Sequence, residues 1–156
     1  FPGQRIEGAE EISMTMTITP TRLIERFYHE LWNKSDEAVA FEILHADFRF
    51  RGSLGPERRG PEGFLEYLRS VRDALPDFVC TIQDIVSENR QAVARMEFVG
   101  THDGVFYEIF PTHKKITWAG AAFFKTDGAQ ITELWVLGDI DAIKQQLGTG
   151  DPTNFG

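Results

Sequence analysis

Two different hydrophobic periods divide the chain into an N-terminal helical part and a C-terminal strand part. Near the N-terminus, Leu23, Phe27 and Leu31 recur at helical spacing, and charged residues lie outside that apolar stripe. A threonine followed by Pro20 is typical of a helix start, because proline fits the first helical turn. The pattern therefore predicts a first helix over residues 20–33.

The same spacing predicts two more helices before the strand region. One is short and covers about residues 36–45, and the other covers about residues 60–75. Between them Phe48 and Phe50 alternate with arginines, which predicts a strand with one buried and one exposed face. Residues 54–59 are rich in glycine, proline and charge, so we expect a loop there.

Beyond residue 76 the hydrophobic period changes to two, which is typical of strands. A turn at Asp127-Gly128 and a last helix between Asp139 and Gly148 complete the pattern. Helices followed by a run of antiparallel strands predict an α+β fold, in which one face of the sheet packs on the helices. The four expected strands cover about residues 77–87, 91–101, 113–126 and 130–138.

Length and composition narrow the classes of protein that fit this pattern. A chain of 156 residues is typical of one domain, which we assign to residues 18–148. Residues 1–17 are expected to be a flexible arm or an expression remnant, and residues 149–156 a tail. The net charge of −8 disfavours nucleic acid and anionic membranes as partners.

Cysteine usage and motif spacing argue against bound cofactors. The single cysteine, Cys80, allows neither an internal disulfide nor a cysteine-based zinc cluster, so we expect a cytoplasmic protein. No apolar run approaches the roughly 20 residues of a membrane helix. Histidines at metal-ligand spacing and a glycine-rich phosphate loop are also missing, so no metal and no cofactor are expected.

Several short motifs together resemble a known family. They are Gly100-Thr-His-Asp-Gly104, Pro111-Thr112, the Asp127-Gly128 turn before Ile131, and Asp139 with Gln146-Leu-Gly148. Over residues 20–148 the sequence resembles the SnoaL-like polyketide cyclase and ester cyclase family, of the nuclear transport factor two-like superfamily. The resemblance implies a cone-shaped α+β barrel, with a curved, mostly antiparallel sheet wrapped over three N-terminal helices around an apolar pocket. It also implies a homodimer through the outer face of the sheet.

The resemblance further implies an acidic residue on the last strand and a histidine on the strand before it. Those positions fall at Val136 and, give or take one residue, at Ala121. Neither side chain can transfer a proton or stabilise an enolate. The family's usual chemistry is therefore in doubt for this chain, and a non-catalytic role in binding an apolar ligand stays open beside an enzymatic one.

Strand alternation predicts which side chains face the pocket. If Val136 faces inward, then Leu134 does too, and we expect Ala121 and Phe123 to face inward on the neighbouring strand. Exposed aromatic residues on the outer face would be costly unless a second subunit covered them, so we predict a homodimer. The residues expected to face outward are Gly120, Ala122, Phe124, Glu133, Trp135 and Leu137.

Four residues are candidates for acid–base catalysis, and each has a competing structural role. The His102 imidazole is of the type that serves as acid or base in enzymes, but it lies between glycines, where a turn-stabilising role is favoured. Arg95 and Glu97 share one strand face, although their neighbours look like the core side, which favours a surface position. Asp139 stands where a helix cap is expected.

The remaining candidates are apolar or aromatic residues that could bind a ligand. Aromatic residues at such spacing are more often packed in a core than used for recognition. Three hypotheses follow: a cyclase- or isomerase-type enzyme using the four candidates above, a binding protein for an apolar ligand, and a scaffold that uses only its dimer face. The ligand-binding candidates are Tyr28, Trp32, Phe48, Phe50, Tyr67, Ala121, Phe123, Leu134 and Val136.

Overall fold

A computed structural model describes residues 17–53 and 55–148. The expectations for residues 1–16 and 149–156 lie outside these described ranges. Within them, no helix is long and apolar enough to cross a membrane. The described residues form an α+β fold, as the sequence predicts.

Helices and strands follow one another in the order that the hydrophobic periods predict. The helices are α1 (Pro20–Arg26), a π-helical segment (Phe27–Trp32), α2 (Ala38–Ile43), α3 (Gly60–Ala74) and α4 (Ile140–Gln146). The strands are β1 (Leu44–Arg51), β2 (Arg58–Arg59), β3 (Val79–Glu88), β4 (Gln91–Thr101), β5 (Lys115–Thr126) and β6 (Ile131–Gly138).

The first predicted helix exists but changes its winding half-way. It begins at the expected cap, where the Thr19 side chain accepts a hydrogen bond from the Arg22 amide. From Phe27 onward the helix is π-wound, and the Asn33 amide donates to the Tyr28 carbonyl five residues back at 2.9 Å. Such wide turns are uncommon and occur often at functional sites.

The boundary between α2 and β1 differs from the prediction. The helix ends at Ile43, and the strand begins at Leu44 because Leu44 pairs with Ile131 of β6. The residues placed in a loop before α3 also contribute the two-residue strand β2, which pairs with β1. Both differences arise from long-range strand pairing, which local periodicity does not report.

The six strands form one sheet in the order β2-β1-β6-β5-β4-β3. Only the β1–β6 pair is parallel, and the other four neighbouring pairs are antiparallel. The inner face of the sheet carries a buried apolar set that packs with the helices into one core. On β4, β5 and β6 that set includes Ala94, Met96, Phe98, Ile116, Trp118, Ala122, Phe124, Ile131 and Leu134.

The predicted orientation of β5 is wrong by one residue. Ala122 and Phe124 are buried, whereas Phe123 is 46% exposed and Ala121 is half-buried on the outer face. Ala122 lies opposite Val136, and residues directly opposite one another share a sheet face. Because side chains alternate, a shift of one residue moves every β5 side chain to the other face. Gly120 is also an inner-face position, against expectation.

Candidate functional site

A small aromatic cavity lies between the sheet and the helices. Its volume is about 50 Å³, several times the roughly 10–15 Å³ that one water molecule needs but far below a drug-sized site. The lining residues come from the π-helical segment, α3, the inner sheet face and the β4–β5 loop. They are Phe27, Tyr28, Trp32, Phe50, Ser53, Tyr67, Val71, Phe78, Phe98, Phe106, Tyr107, Trp118, Leu134 and Val136.

Six of the nine predicted ligand-binding residues line this cavity. Tyr28 and Trp32 are almost fully buried in its wall. The π-helical segment carries both residues on its buried side. The other four that line the cavity are Phe50, Tyr67, Leu134 and Val136.

The other three predicted ligand-binding residues lie elsewhere. Phe48 is completely buried behind the cavity wall, with its ring stacked on Phe50 at a centroid distance of 6.3 Å. Ala121 and Phe123 lie on the opposite face of the sheet, so their assignment to the cavity is wrong. The error follows directly from the β5 orientation described above.

An aromatic wall that the sequence analysis did not assign to the site closes one side of the cavity. Phe98 stacks on Phe78 at 5.8 Å, and Trp118 lies 5.7 Å from Phe78 and 5.5 Å from Phe98. Gly120 makes room for the Phe98 ring, because a Cβ atom there would lie 2.5 Å from Phe98 Cε2. Phe98 is among the neighbours of Arg95 and Glu97 that the sequence places on the core side. The residue pattern around it did not indicate that it faces a cavity.

The β4–β5 loop supplies the remaining wall of the cavity. Phe106 and Ile109 pair through two backbone hydrogen bonds of 3.1 and 2.9 Å. Between them Tyr107 and Glu108 have φ values of +48° and +64°, a left-handed conformation at both central positions of the turn. Residues other than glycine and asparagine seldom adopt it, so the loop holds Tyr107 at a cost in conformational energy.

His102 fixes this loop and does not face the cavity as a lining residue. It is completely buried, its Nδ1 accepts from the Thr112 amide at 3.1 Å, and its Nε2 lies 3.1 Å from the Ile109 carbonyl. An Nδ1 acceptor and an Nε2 donor define the neutral Nε2-protonated ring. The imidazole therefore spans the base of the loop, in the turn-stabilising role that the flanking glycines suggested.

The neighbouring residues bind the loop to the end of α3. The amides of Asp103 and Gly104 both donate to the Ala74 carbonyl at 3.0 Å, which satisfies a helix-terminal acceptor. A Cβ atom at Gly104 would lie 2.3 Å from the Asp73 carbonyl oxygen, so only glycine permits this approach. The Asp103 carboxylate pairs with His113 at 2.8 Å and has no contact with the His102 ring.

The other three catalytic candidates lie away from the cavity. The Asp139 carboxylate accepts from the Ala142 amide at 3.1 Å and caps α4, as its position in the sequence suggested. Arg95 and Glu97 are exposed on the outer face of β4, while Ala94, Met96 and Phe98 are buried on the inner face. None of these candidates is among the lining residues.

The polar groups that do line the cavity are hydroxyls and indoles. Burial raises the pKa of Tyr28 well above its usual value, and nearby Cys80 and Tyr67 raise it further. Burial also raises the pKa of Tyr67 strongly and that of Tyr107 to about 12. All three phenols therefore stay protonated at neutral pH. Ser53 Oγ accepts from the Gly138 amide at 2.7 Å at the edge of the cavity.

Charged and metal-binding side chains do not line this space. Among the described residues the lining contains no carboxylate, imidazole, guanidinium or amine. No group of three or more His, Cys, Asp or Glu side chains within the described ranges could hold a metal ion. The cavity can exclude water and donate hydrogen bonds, but it offers no base that titrates near neutral pH.

The sequence profile of the SnoaL-like polyketide cyclase family matches residues 22–147. The chain belongs to the SnoaL-like polyketide cyclase family. A comparison with curated proteins finds no match.

Solved SnoaL-like structures share the fold of this chain over most of their length. A protein of Jannaschia sp. CCS1 described as a candidate SnoaL-like polyketide cyclase matches with a TM-score of 0.76 at 17% identity, over 85% of this chain and 92% of its own. TsrD from Streptomyces laurentii matches with a TM-score of 0.74 at 26% identity, over 83% and 94%. AclR from Streptomyces galilaeus, described as a candidate hydroxylase, matches with a TM-score of 0.72 at 18% identity, over 84% and 85%.

Within this SnoaL-like chain, the two positions that the resemblance assigned to an acid and a histidine remain apolar. Val136 lines the cavity, and its partner across the β5–β6 ladder is Ala122, which is completely buried. The histidine position was placed at Ala121, give or take one residue, and positions 120–122 are Gly120, Ala121 and Ala122. Each of these alignments leaves the position without a proton carrier.

Proposed function

We propose that this SnoaL-like protein binds a small, uncharged, mainly apolar ring compound in the aromatic cavity, without acid–base catalysis at the family's usual positions. The observation that carries the proposal is the lining itself, which is aromatic and aliphatic apart from a few hydroxyl and indole groups. A cavity of this kind favours apolar surface and penalises buried charge.

The size of the cavity limits what enters without rearrangement. About 50 Å³ accommodates only a few heavy atoms, so even a ligand with a single ring requires the lining to move apart. The half-buried lining residues mark the side where this widening is easiest, because they have fewer packing contacts to lose. They are Ser53, Tyr67, Phe106, Tyr107 and Val136.

Ligand binding can be tested with ethylbenzene as the probe and amide chemical shifts as the measurement. Saturable shifts are expected around the cavity. Val136→Phe places a ring in the cavity and is expected to abolish these shifts. Leu137→Phe is the matched control, because Leu137 is 53% exposed and points to the opposite face of the strand, and it should leave ligand binding unchanged. Equal binding by both variants, or no saturable shifts in the unmodified protein, would refute the proposal.

A cyclase- or isomerase-type enzyme is the second candidate, and membership of the SnoaL-like polyketide cyclase family favours it. AclR shares the fold but is described as a candidate hydroxylase, so the fold does not fix the reaction. Turnover of a polyketide-like substrate that is lost in His102→Gln or Asp139→Asn, with fold and ligand affinity retained, would support acid–base catalysis. Retained turnover in both variants would exclude these residues as its acid or base.

We also propose a homodimer through the outer face of the sheet. Phe123 and Trp135 lie there with their ring centroids 5.6 Å apart and are 46% and 39% exposed, and Leu137 is 53% exposed beside them. Burying such a patch against a second copy removes apolar surface from water. Light scattering after size exclusion is expected to give twice the chain mass, and Trp135→Arg to give a monomer. Phe110→Arg, on an 81% exposed loop residue, is the control that should remain dimeric.

A further inference from the structure

Arg72 is a half-buried residue of α3 whose guanidinium group binds backbone carbonyls outside that helix. Its Nη1 donates to the Phe78 carbonyl at 2.9 Å and to the Pro76 carbonyl at 3.4 Å. Its Nη2 donates to the carbonyl of Trp32, the last residue of the π-helical segment. One side chain thus joins α3 to the end of the π-helical segment and to the connection between α3 and β3.

Two of the residues that Arg72 binds contribute their rings to the cavity. Trp32 and Phe78 are 5% and 4% exposed, and both line the cavity. Their ring centroids lie 5.2 Å apart with an interplanar angle of 69°, an edge-to-face contact. The guanidinium group is planar and holds its N–H donors in fixed directions, so it can bridge two carbonyls at a defined spacing. Arg72 therefore fixes the backbone positions from which the two rings project.

This arrangement has a cost in free energy. Arg72 Nε is buried and has no hydrogen-bond partner among the described residues. Burial lowers the pKa of Arg72, and the nearby Cys80 and Asp77 raise it in part. A methionine would occupy the same place without a charge or an N–H group to satisfy. The presence of an arginine here therefore requires an explanation, and the bridge between Trp32 and Phe78 supplies one.

The end of the π-helical segment has a second attachment that does not depend on Arg72. The Asn33 side chain makes two hydrogen bonds of 2.8 Å with the backbone of Cys80 in β3. Asn33 thus holds the segment against the sheet, whereas Arg72 ties it to α3 and to Phe78. Loss of the Arg72 side chain should leave the segment on the sheet and release the separation of the two rings.

We propose that Arg72 is a positioning residue that sets the separation of the Trp32 and Phe78 rings and so limits the width of the ligand that the cavity admits. The inference rests on the proposed ligand-binding function and adds the residue that controls its selectivity. Arg72 is not among the lining residues, so it acts through the two rings. Because even a single ring requires the lining to move apart, resistance to this movement decides which ligands bind.

The binding test compares ethylbenzene, with one ring, and 2-ethylnaphthalene, with two fused rings. The unmodified protein is expected to bind ethylbenzene more tightly. In Arg72→Met the ratio of the two dissociation constants should shift toward 2-ethylnaphthalene by about three- to tenfold, the range for the loss of one hydrogen bond that resists widening. A general loss of stability would change both dissociation constants by the same factor and leave their ratio unchanged.

Two further variants separate the bridge from the charge. Arg69→Met is the matched control, because Arg69 lies one turn earlier on α3 and pairs with Glu37 at the surface at 2.6 Å. Exposed pairs of this kind contribute little, and this variant should leave the ratio unchanged. Arg72→Lys keeps the charge but loses the planar fork, so it should shift the ratio in the same direction as Arg72→Met. If Arg72→Met does not fold, Arg72→Lys decides the question.

Fluorine NMR of protein labelled with 5-fluorotryptophan tests the positioning without a ligand. The chain contains three tryptophans, and Trp135 lies on the outer face of the sheet as an internal reference. The Trp32 resonance should shift or broaden in Arg72→Met and Arg72→Lys, while the Trp135 resonance stays in place. Neither resonance should change in Arg69→Met.

The outcomes distinguish this inference from the ligand-binding function. If neither probe binds the unmodified protein, the ligand-binding function fails and the limit on ligand width falls with it, while a shifted Trp32 resonance still supports the positioning of the ring. If both probes bind and the Arg72 variants leave their ratio unchanged, the inference is overturned and the binding site stands. An unchanged Trp32 resonance in both Arg72 variants, or an equal shift of the ratio in Arg69→Met, would also overturn it.

Discussion

Replacing Gly120 by alanine tests whether the aromatic wall of the cavity depends on the missing side chain at that position. The new Cβ would lie 2.5 Å from Phe98 Cε2 and 3.4 Å from Phe98 Cδ2. Ordinary carbon–carbon contacts are about 3.5–4.0 Å, so the Phe98 ring must move by roughly 1 Å. It would move against Phe78 and Trp118, whose ring centroids lie 5.8 and 5.5 Å away.

The expected cost follows from these contacts. Overpacking of this kind in a core destabilises a protein by about 1–3 kcal/mol. Alanine also restricts the unfolded chain, which returns about 0.4–1 kcal/mol. Gly120→Ala is therefore expected to lower the free energy of unfolding by about 1–2 kcal/mol.

Urea unfolding at equilibrium measures this change, and Gly63→Ala provides the matched control. A Cβ atom at Gly63, within α3, would lie 3.6 Å from Arg58 Cβ and 3.8 Å from the Arg58 carbonyl carbon, both ordinary contact distances. That variant should raise the free energy of unfolding by about 0.5–1 kcal/mol, since alanine favours helix. Glycine-to-alanine substitution is thus expected to lower the free energy of unfolding at position 120 and to raise it at position 63.

A double variant identifies Phe98 as the source of the cost. Phe98→Leu removes the ring atoms that the new methyl group would meet. Gly120→Ala in that background should cost at least about 1 kcal/mol less than in the original chain. The reasoning is refuted if Gly120→Ala stabilises the protein as Gly63→Ala does, or if its cost is the same with leucine at position 98.

Three further outcomes follow from the cavity and its loop. Burial raises the pKa of Tyr28 and Tyr67 in the folded protein above the value in the unfolded chain. The contribution of the two buried phenols to stability is therefore complete below about pH 10, the unfolded-state pKa, and is lost as the pH rises toward the folded-state pKa values. Tyrosinate absorbance should therefore appear at higher pH in the folded than in the urea-unfolded protein, and the Tyr28→Phe, Tyr67→Phe double variant should lose less stability above pH 10; coincident titrations would contradict this. His102→Leu leaves the Thr112 amide unbonded and removes the second hydrogen bond of the Ile109 carbonyl, which still accepts from the Phe106 amide. It is expected to cost about 1–3 kcal/mol in urea unfolding, whereas an unchanged midpoint would exclude the structural role. Glu108→Gly removes the left-handed strain at φ +64° and should stabilise the protein by up to about 1 kcal/mol in the same assay, and a clear loss of stability would show that the turn is unstrained.

Element types were predictable from the sequence because each depends on local spacing. The stripe of Leu23 and Phe27 indicated a helix, and the Asp127-Gly128 turn separated two alternating strands. The Asp139 cap was likewise visible as an aspartate before a helical stripe. These signals lie within a few residues of the structures that they specify.

The residues of β5 alone did not show which of its side chains lie on the inner face of the sheet. Ala121, Ala122 and Phe123 are all apolar, so the stretch does not alternate between polar and apolar residues and leaves the orientation open. Pairing with β4 and β6 decides it, and that pairing is a property of the whole sheet. A one-residue error there moved two predicted ligand-binding residues to the wrong face.

The sequence also did not indicate that the three tyrosines line one cavity. Tyr28 and Tyr67 were identified as ligand-binding candidates, but Tyr107 lies in a loop whose conformation depends on the buried His102. The π winding that buries Tyr28 also leaves no obvious mark in the residue pattern. Sequence periodicity reports which side chains are buried more reliably than which of them share a cavity.

The amides of Asp103 and Gly104, which donate to the Ala74 carbonyl, limit where the β4–β5 loop can change its length. They fasten the start of the β4–β5 loop to the end of α3, while the paired residues Phe106 and Ile109 enclose its tip. Changes of length between these two fixed points would reshape one wall of the cavity and leave the sheet unaltered. Under the proposed binding function, a few residues of one hairpin would therefore set the choice of ligand.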